Sequence, residues 1–227
     1  MNNFFATPKG AWGDGSSHLT TIGISIVAAA IILLLITAAI IRHRNADHRQ
    51  AFTTKQLVYS SAAIALAVVC SMIKLFEMPM GGSVTLMSML FIVLIAYWYG
   101  PYVGVMTAVA YGLVQFVTEP IFYTIPQMIL DYPLAFGALG IAGFFHNKKY
   151  GLQAGYLAAV AGRFFFASLS GYIFFASYAP EGMHPAVYSV AYQASYLIPE
   201  TVVTLIIISI PNVAKALSRV KREAVYN

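Results

Sequence analysis

The chain has 227 residues, of which 59% are hydrophobic and only 9% charged, whereas about a quarter of the residues of a soluble globular domain are charged. This composition excludes a soluble catalytic domain and predicts one all-α integral membrane domain in the lipid bilayer. The net charge of +5 does not indicate a nucleic-acid partner, because the basic residues lie between apolar segments. A single cysteine, Cys70, excludes an internal disulfide and any multi-cysteine metal site.

The first apolar segment, residues 19–41, contains no charged residue. As a helix it would be about 34 Å long, enough to cross a hydrocarbon core of about 30 Å. A cleaved signal peptide is the alternative, but only Lys9 precedes the segment, and Arg42 and Arg44 follow it directly. The sequence therefore predicts a transmembrane helix at 19–41 after an extracellular segment at 1–18.

Six further apolar segments follow a basic cytoplasmic linker at 42–55, with turn-forming residues between them. They cover 56–74, 84–99, 101–118, 126–145, 151–177 and 186–210. Three prolines interrupt helical runs, which a helical bundle tolerates where neighbouring groups satisfy the freed backbone. We therefore predict a seven-helix protein, with a six-helix core over 56–217 and a cytoplasmic tail at 218–227.

The distribution of lysine and arginine predicts the orientation, because cytoplasmic loops carry an excess of both residues. With the linker 42–55 inside, only Lys9 and Lys74 lie outside. The inner residues are Arg42, Arg44, Arg49, Lys55, Lys148, Lys149, Lys215, Arg219, Lys221 and Arg222. The N-terminus is thus expected outside and the C-terminus in the cytoplasm.

Three ionisable residues fall within the core segments, where each is expensive unless it is paired or hydrated. Arg163 and Glu200 are each predicted to lie about 20 Å from the outer ends of two consecutive helices. This similar depth predicts a structural ion pair or, alternatively, a coupling or gating element. Asp131 lies only about 8 Å from the outer end of its helix. It has no opposite charge at its level, which indicates a cationic or amine-bearing ligand; a carboxylate bonded to local backbone or hydroxyl groups is the alternative.

The outer halves of the segments around Asp131 are rich in aromatic side chains. These are Tyr132, Tyr172, Phe174, Phe175, Tyr178, Tyr188, Tyr192 and Tyr196. An interfacial aromatic belt or simple helix packing accounts for part of this pattern. Aromatic faces beside one carboxylate also suit a flat, cationic, heteroaromatic ligand. Tyr172 and Tyr192 are therefore candidate ligand contacts, and so is Gln127, one helical turn before Asp131.

Several kinds of site are missing from the sequence. No phosphate-binding loop of the G-x-x-x-x-G-K-S/T type occurs, so an ATP-driven process would need a partner that hydrolyses ATP. All five histidines lie outside the confident spans, which disfavours a histidine metal site or a Ser–His protease. We therefore expect a binder or carrier without a cofactor, a metal or enzymatic activity.

Three stretches carry a family resemblance: GGSVTLMSM (81–89), IPQMILDYPLAFGALGIAG (125–143), and SGYIFFASYAPEGM (170–183) followed by VYSVAYQ (187–193). The chain resembles the ThiT-like S-components, the thiamine-binding membrane subunits of energy-coupling-factor vitamin transporters, over about residues 55–217. The resemblance implies a six-helix core in a prokaryotic plasma membrane that captures thiamine from outside. It also implies ATP-driven import together with three partner subunits: one transmembrane coupling subunit and two cytoplasmic ATPase subunits. Helix 19–41 lies outside the match.

The resemblance also assigns substrate-binding positions. The acidic residue that holds the aminopyrimidine falls on Asp131, beside Tyr132, and the stacking aromatic residue falls on Phe175. The pocket tyrosine falls on Tyr188 and the nearby amide on Gln193. A small-x-x-x-small motif that meets the coupling subunit falls on the first core helix, which holds Ser61, Ala62 and Ala65.

Four of these pocket positions depart from the familiar pattern. Asp131 stands where the family has Glu, Phe175 where it has Trp, Gln193 where it has Asn, and Ala167 where it has His. Thiamine or a related pyrimidine or thiazole compound is therefore the expected ligand. A stand-alone proton-coupled transporter that uses Asp131 or Glu200 is the alternative, and an intramembrane enzyme or adaptor is a third hypothesis that the absent catalytic residues disfavour.

Overall fold

The computed structural model describes residues 6–8, 17–19, 52–78, 82–146 and 148–225. In the N-terminal part, β1 (Ala6–Pro8) pairs with β2 (Ser17–Leu19) in antiparallel fashion. The predicted transmembrane helix 19–41 lies outside the described residues except for Leu19, which ends β2. Most of the predicted linker 42–55 also lies outside them.

The described part of the core is mainly helical. Its helices are α1 (Thr54–Met72), α2 (Ser88–Tyr99), α3 (Pro101–Thr118), α4 (Ile125–Phe145), α5 (Gly151–Phe174), α6 (Pro185–Ser209) and α7 (Pro211–Val225). Five of them, α1 and α3 to α6, are long and apolar enough to cross a membrane. The prediction of a helical membrane protein is thereby confirmed, but the described residues are mainly rather than entirely helical, and the number of spans and their orientation stay predictions.

Helix α2 is short because the rest of the protein surrounds it. Its twelve residues span about 18 Å, and nine of them are buried, including Met89, Ile92 and Val93 with no exposed surface. The helix packs against α1, α3 and α4. A helix that is apolar on all sides belongs in the interior, so α2 forms the centre of the hydrophobic core.

Helix α4 is irregular where Pro133 interrupts it. Proline has no N–H to donate and its ring crowds the preceding turn, and here the backbone widens into a π-turn at Leu130–Leu134. The helix then tightens into a 3₁₀ segment at Ala138–Phe145. Such π-turns are frequent at functional sites, and this one carries Asp131.

Helices α3 and α4 approach closely at Gly112. A Cβ on this glycine would lie 2.6 Å from the Tyr132 carbonyl oxygen and 3.0 Å from the Phe136 Cβ. Small residues allow membrane helices to come this near. Gly112 therefore sets the position of the π-turn that holds Asp131.

The structure contains two elements that the sequence did not predict. A hairpin of β3 (Lys74–Glu77) and β4 (Ser83–Thr85) takes up the end of the predicted segment 56–74 and the start of 84–99. It is tied to α1, because Leu86 N donates to the carbonyl oxygens of Cys70 and Ile73. Helix α7 crosses the predicted boundary between core and tail at 217. It lies against the end of α2, where the Tyr99 hydroxyl donates to Ala224 O at 3.0 Å.

Candidate functional site

A cavity of about 580 Å³ lies between the hairpin and helices α3 to α6. Two helices each contribute a stripe with a spacing of four residues, which places its members on one helix face. The first stripe is Arg163, Ala167 and Gly171 on α5, with Phe175 directly after the end of that helix, and the second is Tyr188, Tyr192, Tyr196 and Glu200 on α6. Each stripe extends twelve residues, or about 18 Å. The cavity is therefore elongated, with an aromatic end and a charged end.

Asp131 lines the cavity from the π-turn of α4. Its Oδ2 accepts a hydrogen bond from Gln127 Nε2 at 2.5 Å, as the spacing of one helical turn allows. The Ser170 hydroxyl lies near enough to stabilise the carboxylate charge, although it makes no hydrogen bond of standard geometry. One carboxylate oxygen is thus fixed by Gln127 at the wall of the cavity.

Gln127 is fully buried and does not line the cavity, in contrast to its expected role as a substrate contact. Its Oε1 accepts from Tyr123 N at 3.0 Å, and its Nε2 also donates to Ile121 O at 3.1 Å. The side chain therefore links Asp131 to the loop between α3 and α4. It acts on the site by positioning Asp131.

Tyr132 fixes the same loop from the other side. Its hydroxyl donates to Glu119 O at 2.8 Å and accepts from Ile121 N at 2.9 Å. The ring meets Phe116 edge to face, with 5.0 Å between the centroids, and it also borders the cavity. Its polar end is thus engaged by the protein, so its ring is the part that a ligand would meet.

Aromatic rings close the outer end of the cavity. Tyr123 packs edge to face on Phe175 at 5.2 Å, and its hydroxyl shares a hydrogen bond of 2.9 Å with the Tyr178 hydroxyl. This hydrogen bond and partial burial raise the pKa of Tyr123. On α6, the ring centroids of Tyr188 and Tyr192 lie 6.3 Å apart. Phe175, Tyr188 and Tyr192 all line the cavity, so the structure brings these expected contacts together.

Tyr172, another expected contact, does not line the cavity. Its ring lies 6.0 Å from that of His184, at an interplanar angle of 32°. Tyr172 directly follows Gly171 of the cavity stripe on α5, and neighbouring residues of a helix do not share a face, so its side chain points away from the stripe.

The amide of Gln193 is bonded at both ends within the protein. Its Nε2 donates to Ala167 O at 3.4 Å, and its Oε1 accepts from the Tyr196 hydroxyl. The small side chain of Ala167 leaves room for this longer amide to reach across to α5. Gln193 lines the cavity, but it meets a ligand as part of a fixed network with Tyr196.

The ion pair expected between Arg163 and Glu200 does not form, although both residues line the same end of the cavity. The ion pair within 4 Å among the described residues joins Lys74 and Glu77, at 3.6 Å. The Arg163 guanidinium lies 4.1 Å from the centroid of the Phe136 ring instead, where the ring face attracts a cation.

Glu200 is held by the hairpin rather than by an arginine. Its Oε2 accepts from Thr85 N at 3.2 Å and from Thr85 Oγ1 at 2.9 Å. Thr85 Oγ1 also contacts Ser88 Oγ at 2.9 Å. Similar depth on neighbouring helices was thus insufficient to predict a pair, since each of the two side chains contacts other groups instead.

Tyr123 and Thr85 are among the cavity residues that sequence reasoning missed. Both lie outside the helices, where no periodic pattern shows which way a side chain points. The expected docking residues Ser61, Ala62 and Ala65 lie elsewhere, on the exposed face of α1. Within the described residues, no group of three or more His, Cys, Asp or Glu side chains could hold a metal ion.

Comparison with known proteins identifies the family. The model of the thiamine transporter protein family matches residues 57–219. The thiamine transporter ThiT of Bacillus subtilis (strain 168) is 34% identical over 165 residues, which cover 66% of this chain and 84% of that protein. The solved structure of ThiT from Listeria monocytogenes shares the fold with a TM-score of 0.58 at 19% identity, over 75% of this chain and 95% of that one. The chain therefore belongs to the thiamine transporter protein family, as a ThiT-like S-component and a multi-pass protein of the bacterial plasma membrane.

Proposed function

We propose that this chain is the substrate-binding membrane subunit of an ATP-driven energy-coupling-factor importer. It captures thiamine, or a closely related pyrimidine or thiazole compound, from outside and delivers it inward. The observation that carries the proposal is the carboxylate of Asp131, which faces an aromatic cavity with one oxygen fixed by Gln127. Family membership supports thiamine as the cation that it binds.

The cavity has the size and chemistry that such a ligand requires. Its volume of about 580 Å³ lies within the range of about 300–1,000 Å³ typical of small-molecule sites. Asp131 supplies the negative charge for a protonated or amino-bearing ring. Phe175, Tyr188 and Tyr192 supply ring faces, which attract flat cationic groups by stacking and cation–π interaction.

The proposed arrangement in the membrane is a six-helix core made of α1 to α6, preceded by an additional transmembrane helix at 19–41. The N-terminus lies outside and the C-terminus in the cytoplasm. In support, Lys148 and Lys149 lie at the opposite end of α5 from Phe175, and positive residues favour the cytoplasmic side. The aromatic end of the cavity then faces the side from which a nutrient arrives.

Helix α1 is the proposed contact with the coupling subunit. It is the least buried of the five long apolar helices. Its exposed face holds the small residues Ser61, Ala62 and Ala65 beside Leu57 and Leu66. Small side chains allow a second membrane helix to approach closely. Two cytoplasmic ATPase subunits would then supply the energy, in keeping with the absence of a phosphate-binding loop in this sequence.

Binding is tested by titrating the purified protein in detergent with thiamine in a calorimeter. Asp131→Asn removes the charge while keeping the shape, so we expect at least a tenfold loss of affinity, since hydrogen bonds to charged groups contribute about 1.5–3 kcal/mol. Glu181→Gln, in an exposed loop outside the cavity, is the matched control. If the protein binds neither thiamine nor its precursors at micromolar concentration, and Asp131→Asn changes nothing, the proposal fails.

The source of energy is tested by thiamine uptake in cells that lack their own uptake system. We expect uptake only when the coupling subunit and the ATPases are produced together with this chain. Uptake that persists without them and disappears when the proton gradient is collapsed would establish a proton-coupled carrier instead.

A further inference from the structure

Glu200 has a carboxylate oxygen to which no described residue donates a hydrogen bond of standard geometry. The residue is only 4% exposed, and it lines the end of the cavity opposite the aromatic rings. Its Oε2 accepts two hydrogen bonds from Thr85, whereas its Oε1 is buried without a hydrogen bond of standard geometry from any described residue, although the Met89 backbone N–H lies near enough to stabilise the carboxylate charge. A buried polar atom without a partner is costly and rare in native structures. This oxygen can therefore accept one more hydrogen bond, from a donor that enters the cavity.

Arg163 does not act as that donor. It lies near enough for electrostatic attraction, but it forms no ion pair with Glu200, and its guanidinium rests on the face of Phe136. Arg163 thus lowers the cost of the buried charge without occupying the free oxygen.

The free oxygen is also held in a fixed position. Thr85 donates twice to the other oxygen, and Thr85 itself is linked to Ser88 at the start of α2. Helix α2 is the most enclosed part of the core. A recognition group that is held by such a rigid scaffold loses little freedom when it binds a ligand.

We propose that Glu200 is a second substrate-recognition carboxylate, which accepts a hydrogen bond from an amino or hydroxyl group of the substrate at the deep end of the cavity. The inference rests on the proposed function, because thiamine carries both kinds of donor. Together with Asp131, it gives the elongated cavity two acidic contact points.

The test compares the wild-type protein with Glu200→Gln by thiamine calorimetry. Glutamine keeps an oxygen for Thr85 but removes the charge, so we expect an affinity loss of roughly 10- to 100-fold, as for other hydrogen bonds to charged groups. Glu200→Asp keeps the charge but moves the carboxylate back by the length of one methylene group, so it should also bind thiamine more weakly. This variant provides the test if the glutamine variant does not fold. Glu181→Gln should bind as the wild type does.

Two further measurements separate recognition from a structural role. The melting temperature of the ligand-free Glu200→Gln protein should equal or exceed that of the wild type, because a buried charge has been removed. Thiamine analogues that lack either the amino or the hydroxyl group then identify the donor. The effect of Glu200→Gln should shrink for the analogue without the group that Glu200 contacts.

The results have distinct meanings. A wild-type protein that does not bind thiamine refutes the proposed function and this inference with it. Wild-type binding together with unchanged affinity in Glu200→Gln and Glu200→Asp refutes this inference alone. An equal loss for thiamine and both analogues, accompanied by a lower melting temperature, shows that Glu200 only holds the hairpin, and it also overturns the assignment.

Discussion

Replacing Gln127 by methionine tests whether the binding carboxylate is positioned by a buried side chain that never meets the ligand. Methionine has a similar length and fills the same space, but it cannot hydrogen-bond Asp131 Oδ2, Ile121 O or Tyr123 N as the amide does. The change therefore breaks three hydrogen bonds at a fully buried position while creating no cavity.

The magnitude follows from the kind of bond that is lost. The bond to Asp131 involves a charged group and contributes about 1.5–3 kcal/mol, and each of the two bonds to backbone groups contributes about 1 kcal/mol. We expect the free energy of unfolding to fall by about 3–5 kcal/mol. Because the carboxylate also loses its fixed direction, thiamine affinity should fall roughly tenfold or more, at about 1.4 kcal/mol for each tenfold change.

The assays are thermal unfolding in detergent and thiamine calorimetry. Gln153→Met makes the same chemical change at a half-buried position on α5 outside the cavity, and it should alter neither measurement. A Gln127→Met protein with the wild-type melting temperature and affinity would refute the positioning role. Lower stability with unchanged affinity would mean that Gln127 supports the loop but does not orient Asp131.

Two other substitutions probe the scaffold and the partner surface. Gly112→Ala places a Cβ 2.6 Å from Tyr132 O, so overpacking should destabilise the protein by about 1–3 kcal/mol. It should also weaken thiamine binding, because the π-turn of α4 is displaced. An unchanged melting temperature would contradict this packing. Ala65→Leu enlarges a side chain on the exposed face of α1. It should leave thiamine affinity unchanged but abolish uptake by the assembled transporter. Normal uptake would exclude this face as the docking surface.

Local spacing in the sequence was sufficient to predict one half of the site. Gln127 and Asp131 are one turn apart on a single helix, and the structure joins them by a hydrogen bond. The aromatic stripe at Tyr188, Tyr192 and Tyr196 likewise follows from helical periodicity. Such relations depend only on the geometry of one element, which the sequence pattern reveals.

The other half of the site depends on contacts between distant parts of the chain. Thr85 and Glu200 are 115 residues apart in sequence, and no periodic pattern connects a hairpin strand with a helix. The predicted pairing of Arg163 with Glu200 failed for the same reason: helix depth gives the level of a charge, but not which neighbour satisfies it. Phe136 and Thr85 took those roles.

The sequence alone therefore determined that the protein lies in a lipid bilayer, that its core is mainly helical, and which family it belongs to. Composition, run length and short motifs depend on the order of residues, and the family match over residues 57–219 confirms the resemblance. Only the tertiary structure decided how the cavity is built. It placed Gln127 behind Asp131, engaged both ends of Gln193, and left one buried oxygen of Glu200 without a hydrogen bond of standard geometry from a described residue. Hydrogen-bond partners are chosen by packing in three dimensions, so they become visible only when the helices are assembled.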